Sequence, residues 1–195
     1  MLDAIKAKAD KTYATSRKIF GVLSLWGLVF SVVTISEFRV AFDYDDTLVF
    51  STPAFARANA SGTQAYSPDY WKVVNNSYDL EKPKILVNTM AWGLRLLGFK
   101  ITILTSRPPH DGDALKKEWR HLANRFIFAN GATSKHRYLK EGNHILFFGD
   151  SDSDITEGRK VNVQTLRIRR SPRSSYKEDY NPGSLGEIII PFSEY

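Results

Sequence analysis

The segment Phe42-Asp43-Tyr44-Asp45-Asp46-Thr47-Leu48-Val49-Phe50 sets the strongest constraint on this chain, placing three carboxylates within four residues directly behind the apolar run Phe38-Arg39-Val40-Ala41. The run has the aromatic and β-branched character of a buried strand. Like charges this close repel one another unless a cation or a designed gradient holds them. In an extended segment, side chains two residues apart point the same way, so Asp43 and Asp45 face one site. A solvated acidic turn, with Asp46-Thr47 capping a helix, is the plain alternative. The rest of the chain decides between them.

Four more stretches read as strands: residues 100–104, 125–129, 145–148 and about 164–168. Between them the spacing predicts helices over 83–97, where a proline opens and Gly98 stops the pattern, over 111–123, and over 133–140, with another after residue 150. A short helix is expected from Ser51-Thr52-Pro53, a cap followed by an early proline. Strands alternating with helices imply an α/β fold, a doubly wound, mostly parallel sheet. Residues 61–82 are polar but carry Tyr66, Tyr70, Trp71 and Tyr78, which points to a folded insertion, since disordered segments are poor in aromatics. The tail 171–195 reads as irregular, with a last apolar run at Ile188-Ile189-Ile190.

In such a sheet, ligands bind outside the carboxyl ends of the strands. Those ends carry Asp43 and Asp45, Thr105, and Asp150 with Asp154, while Lys135 lies on a crossover helix. A threonine ending a strand, a lone helical lysine or an acidic turn is ordinary by itself. Their arrival at successive strand ends and crossovers is not.

The order Asp-x-Asp-x-Thr, Thr, Lys, Gly-Asp-x-x-x-Asp resembles the haloacid dehalogenase-like (HAD) phosphohydrolases. The longer stretches FDYDDTLVFSTPAF, YWKVVNNSYD, TSRP, TSKHRYLKEGNHILFFGDSDSDI, SSYK and SEY are similar to the class B bacterial acid phosphatases, over roughly residues 38–195. The resemblance implies a HAD-like fold with a small cap at about 51–82, and hydrolysis of nucleotides and aryl phosphates through an aspartyl-phosphate, with phosphotransfer as a second outcome. It implies Asp43 as nucleophile and Asp45 as general acid and then base. Thr105 and Lys135 would bind the phosphoryl oxygens. Mg²⁺ would be held by Asp43, the backbone carbonyl of Asp45, and Asp150, with Asp154 orienting Lys135 or a metal-bound water. Arg107 matches the substrate-contacting arginine, although Ser106 stands before it where the family has glycine. Phe55, Trp71 and Tyr176 match the leaving-group pocket. The family is tetrameric and periplasmic, but the first 37 residues do not resemble its N-terminal region.

Those residues divide the chain into 1–36 and a phosphatase domain, 37–195. The first part carries five Lys/Arg against two Asp, then seventeen uncharged residues, 19–35. A basic leader before an apolar run fits an export signal or a membrane anchor facing the periplasm. A helix packed on a domain that stays in the cytoplasm fits as well. Of the formal charge of +6, this part holds +3, so the 159-residue remainder is only mildly basic. That suits small anionic substrates better than a nucleic-acid polymer, and Arg167, Arg169, Arg170 and Arg173 read as phosphate-seeking or solvated surface. With no cysteine, disulfides and thiolate metal sites are excluded. Two other readings use the same residues: a HAD phosphatase dedicated to one metabolite or phosphoprotein, and a receiver-like domain that stores a phosphoryl group. The receiver arrangement puts its acidic pair on the first strand and its phosphorylated aspartate later, the reverse of the order here.

Overall fold

A computed structural model describes residues 2–195. Met1, the first residue of the expected leader, lies outside the described residues, as do the side chains of residues 2–12, 14 and 32. In chain order the elements are α1 (Leu2–Ile35), β1 (Arg39–Phe42), β2 (Val49–Phe50), α2 (Thr52–Ala60), α3 (Pro68–Asn75), a 3₁₀ turn (Tyr78–Leu80), β3 (Lys82–Pro83), α4 (Ile85–Leu96), β4 (Lys100–Thr105) and α5 (Asp113–Trp119). Then follow β5 (Arg125–Phe128), a 3₁₀ turn (Ala132–Ser134), α6 (Lys135–Glu141), β6 (His144–Gly149), α7 (Asp152–Arg159), β7 (Gln164–Ile168) and β8 (Ile188–Ile190).

Six strands form one parallel sheet in the order β5-β4-β1-β6-β7-β8. The chain moves outward from β1 through β4 to β5, then returns to the other side of β1 at β6. That reversal makes β1 the switch point, where a crevice opens at the carboxyl ends. Alternation along the strands feeds two cores. Val40, Phe42, Ile101, Ile103 and Phe148 pack with Val87, Ala91, Leu115 and Trp119 from α4 and α5. Ala41, Leu104 and Phe147 point the opposite way and pack with Leu139 of α6. Strands buried on both faces are apolar throughout, which is why the runs were recognisable.

Several boundaries differ from expectation. Pro83 does not open a helix; it pairs with Val49 across the antiparallel pair β2–β3, and α4 begins only after the Lys84 N–H is taken by the Leu48 carbonyl at 2.9 Å. The helix expected over 111–123 spans only Asp113–Trp119, because Asp111 adopts a left-handed φ of 52° before it. The tail is not wholly irregular, since the Ile188–Ile190 run adds β8 to the sheet edge. Segment 51–82 contributes α2 and α3, which pack together through Ala58, Tyr70 and Val74 with Phe55 and Trp71 against them. Within α1, the stretch Thr15–Ile35 is long and apolar enough to cross a membrane. Its large side chains, such as Phe20, Trp26 and Phe30, lie exposed rather than packed on the domain.

Candidate active site

Each acidic element of the site hangs from a strand end. Asp43 follows β1 directly, and its N–H is bonded to the Phe148 carbonyl at 2.7 Å, tying the first acidic loop to β6. Asp150 follows β6. The turn after it is a capping box: Ser151 Oγ accepts from Asp154 N at 3.0 Å, and Asp154 Oδ2 accepts from Ser151 N at 3.2 Å. The box leaves Asp154 Oδ1 free to accept from Lys135 Nζ at 2.6 Å. Lys135 begins α6 and is buried; its ammonium also donates to Asp43 Oδ1. One lysine therefore bridges the acidic ends of two neighbouring strands.

Asp43, Asp150 and Asp154 are buried, and each offers a carboxylate oxygen within 4.8 Å of the others. Burial first, then Asp154, Asp150 and Asp45, push the Asp43 carboxyl well up from its ordinary range, against the pull of Lys135. Burial and Asp154 raise Asp150 against Arg170. Burial opposes the charge on Lys135, but Asp154 and Asp43 outweigh it and hold the amine above its usual range. The acidic cluster thus outruns the positive charge that Lys135 supplies. An all-oxygen donor set with a surplus of negative charge fits a hard divalent cation.

Asp45 lies apart from that triad. Arg107 Nε donates to its Oδ2 at 3.0 Å and Arg107 Nη2 to its Oδ1 at 2.6 Å. Thr105 Oγ1 donates to its Oδ2 at 3.3 Å and accepts from the Arg107 N–H at 3.2 Å. Asp43, Asp45, Phe55, Trp71, Arg107, Lys135, Asp150, Asp154 and Tyr176 all line one pocket of 560 Å³. Thr105 is the exception among the expected site residues, being fully buried behind Asp45.

Residues that sequence reasoning did not assign to the site complete it. Glu81, from the end of the insertion, accepts from Arg107 Nη2 and from the Tyr44 hydroxyl, and Trp119 Nε1 donates to that hydroxyl at 3.3 Å. Arg107 is thus buried between two carboxylates, only 1% exposed, with Nη1 left without a partner. Arg170 binds the Asp150 carboxylate through Nε and stacks between the Tyr176 and Tyr180 rings, each centroid 4.8 Å away. The reading of the RIRR stretch as solvated surface is therefore corrected for two of its arginines. Arg167 is buried between Asp152 and Glu187, and Arg170 belongs to the site. Each needed a carboxylate partner, and such a partner lies far off in sequence. Tyr66 and Tyr70 join Phe55 and Trp71 in an aromatic wall with ring centroids 5.6–6.1 Å apart. Only their clustering in a polar insertion hinted at this.

Residues 36–179 match the model of HAD superfamily subfamily IIIB, acid phosphatase. The chain is 33% identical over 172 residues to the class B acid phosphatase of Rahnella sp. (strain Y9602), covering 80% of this chain and 73% of that one. It is 34% identical over 179 residues to the class B acid phosphatase of Salmonella typhi, with the same coverage. In fold it is similar to CbbY from Rhodobacter sphaeroides in complex with phosphate, at a TM-score of 0.55 and 11% identity over 80% of this chain and 95% of that one. With the strand-end carboxylates, the buried lysine and the sheet order in agreement, the chain belongs to subfamily IIIB of the HAD superfamily, the class B acid phosphatases, and is a phosphomonoesterase.

Proposed function

We propose that this phosphomonoesterase hydrolyses nucleotides and aryl phosphates in two steps. One observation carries the reading: five strand-end and crossover side chains of complementary charge open into a single pocket whose far wall is aromatic. In the first step an Asp43 carboxylate oxygen attacks phosphorus, and the bond to the leaving oxygen breaks. Asp45 gives that oxygen its proton, so the leaving group departs as a neutral alcohol. In the second step Asp45 takes a proton from water as the water attacks the aspartyl-phosphate. Phosphate is released, and Asp45 is protonated again. An alcohol in place of water would give phosphotransfer by the same step.

Lys135, which lines the pocket, binds the equatorial phosphoryl oxygens, while Thr105 and Arg107, both buried, hold the Asp45 carboxylate in position instead of reaching the phosphoryl group. Asp43, Asp150 and the backbone carbonyl of Asp45 would hold Mg²⁺, with Asp154 keeping Lys135 in place. When bound, the cation supplies charge neutralisation that lets one anion approach another. Phe55, Trp71 and Tyr176 stack on the base or aryl ring, each worth on the order of 1–3 kcal/mol. The basic leader and Thr15–Ile35 serve as an export signal or anchor that places the domain in the periplasm.

The test is phosphate release from a nucleotide, an aryl phosphate and an alkyl phosphate, with and without Mg²⁺. Comparable turnover of the first two, lost on chelation, is expected. Turnover of one monoester alone would replace the broad reading with a dedicated phosphatase.

A further inference from the structure

We propose that the end of the domain where the strands begin lies flat against an anionic lipid surface, with the catalytic pocket facing away from it. The proposal rests on reading α1 as the membrane-embedded segment.

Only Ser36, Glu37 and Phe38 separate the end of α1 from Arg39, the first residue of β1. Three residues span at most about 10 Å. A bilayer that holds Ile35 must therefore pass close to the start of β1, on the side opposite Asp43. Because the sheet is parallel, the same side carries the first residues of the other strands. Lys100 opens β4 and pairs in register with Arg39, and Arg125 opens β5. The crossover helices run back against the strands, so their last turns deliver Arg120, Lys140 and Arg159 to the same end. Among the described residues none of these six cations forms an ion pair, and Arg120, Arg125, Lys140 and Arg159 are exposed. The same turns and junction carry Glu37, Glu118, Glu141 and Glu157, the last paired with Lys160, so the six cations leave the end net basic.

The same end exposes apolar tips. Leu96 and Leu97, at the close of α4, are 82% and 62% exposed, and Phe38 is 40% exposed. The Lys100 N–H bonds to the Phe38 carbonyl at 3.0 Å, so the α4–β4 turn lies beside the α1–β1 junction. Large apolar side chains ringed by arginine and lysine suit the boundary between acyl chains and phosphate headgroups. There the tips enter the boundary and the cations meet the phosphates. The opposite end holds the carboxylates of the site and would be repelled by the same surface. Soluble phosphomonoesters would thus reach the pocket from the aqueous side.

The chain contains no cysteine, so single-cysteine variants carry one spin label each. The full chain is reconstituted in nanodiscs of phosphatidylcholine with phosphatidylglycerol, labelled at Leu25→Cys, Leu96→Cys or Gln64→Cys, the last on the cap. Relaxation by oxygen reports lipid, and relaxation by a polar nickel chelate reports water. Lipid-type behaviour is expected at Leu25 and Leu96, and water-type behaviour at Gln64. Arg120→Glu with Arg125→Glu should return the Leu96 label to water and leave Leu25 in lipid and phosphate release unchanged. A Leu25 label in lipid with a Leu96 label in water would overturn the docking and keep the anchor. A Leu96 label shielded from both reagents would mean that a second copy covers the surface, and would overturn it too. A Leu25 label in water would remove the anchor and the docking together, while phosphate release would still report on the catalytic reading.

Discussion

Glu81→Ala removes the carboxylate that Arg107 and Tyr44 share. Both side chains of the Glu81–Arg107 pair are only 1% exposed, so little water reaches the arginine left behind. Removing one partner of a buried pair costs about 3–5 kcal/mol through the uncompensated charge. Arg107 keeps Asp45, whose side chain is 26% exposed, which puts the expected loss at the lower end, about 3 kcal/mol. The Tyr44 hydroxyl also loses its acceptor, adding about 1 kcal/mol. With a urea slope of about 2 kcal/mol per M, the unfolding midpoint should fall by about 2 M. Glu81→Gln keeps one acceptor oxygen but puts an amide NH2 donor where the other oxygen stood, without the charge, and should recover only part of the loss. Activity should follow: a guanidinium held from one side only leaves Asp45 less well placed, so kcat should drop more than KM changes. Equilibrium urea unfolding with phosphate-release kinetics measures both. A midpoint within about 0.3 M of the parent, with unchanged kcat, would show that Glu81 does not hold Arg107.

Asp43→Asn should abolish turnover while unfolding stays cooperative, and near-parental phosphate release would remove Asp43 as nucleophile. Asp45→Asn should spare aryl phosphates more than alkyl phosphates, because a good leaving group departs without a proton; equal losses on both would contradict the acid role. Asp46 is pushed up from 3.8 to about 6, by burial first and then by Asp150. The folded state therefore holds a proton that the unfolded chain has released. Its contribution is complete below pH 3.8 and is lost as pH rises through 6, a fall of about 3 kcal/mol. Asp46→Asn should remove that part of the slope when unfolding is followed in chelator from pH 4 to 7, and an unchanged slope would refute the assignment. Mg²⁺ at about 100 times its dissociation constant should stabilise the parent by about 2.7 kcal/mol, and Asp150→Asn should lose most of this shift in thermal unfolding.

The catalytic carboxylates could be found from residue order because their placement is local. A strand buried on both faces is a continuous apolar run, and the first polar residues after it must lie at its carboxyl end. Asp43, Asp45, Thr105 and Asp150 all follow that rule. Helix limits were less accessible: Pro83 and Asp111 adopt their conformations because of a neighbouring strand and a left-handed turn, not because of their own preferences. Ile188–Ile190 is too short to signal a strand until the edge of β7 is there to pair with it.

The partners of the buried charges came only with the folded arrangement. Arg107 meets Glu81 across 26 residues, Lys135 meets Asp43 across 92, and Arg170 meets Asp150 across 20. A buried guanidinium or ammonium must find a carboxylate, but residue type alone does not say which. The sheet order β5-β4-β1-β6-β7-β8 says it, by setting which strand ends stand side by side and where the insertion returns.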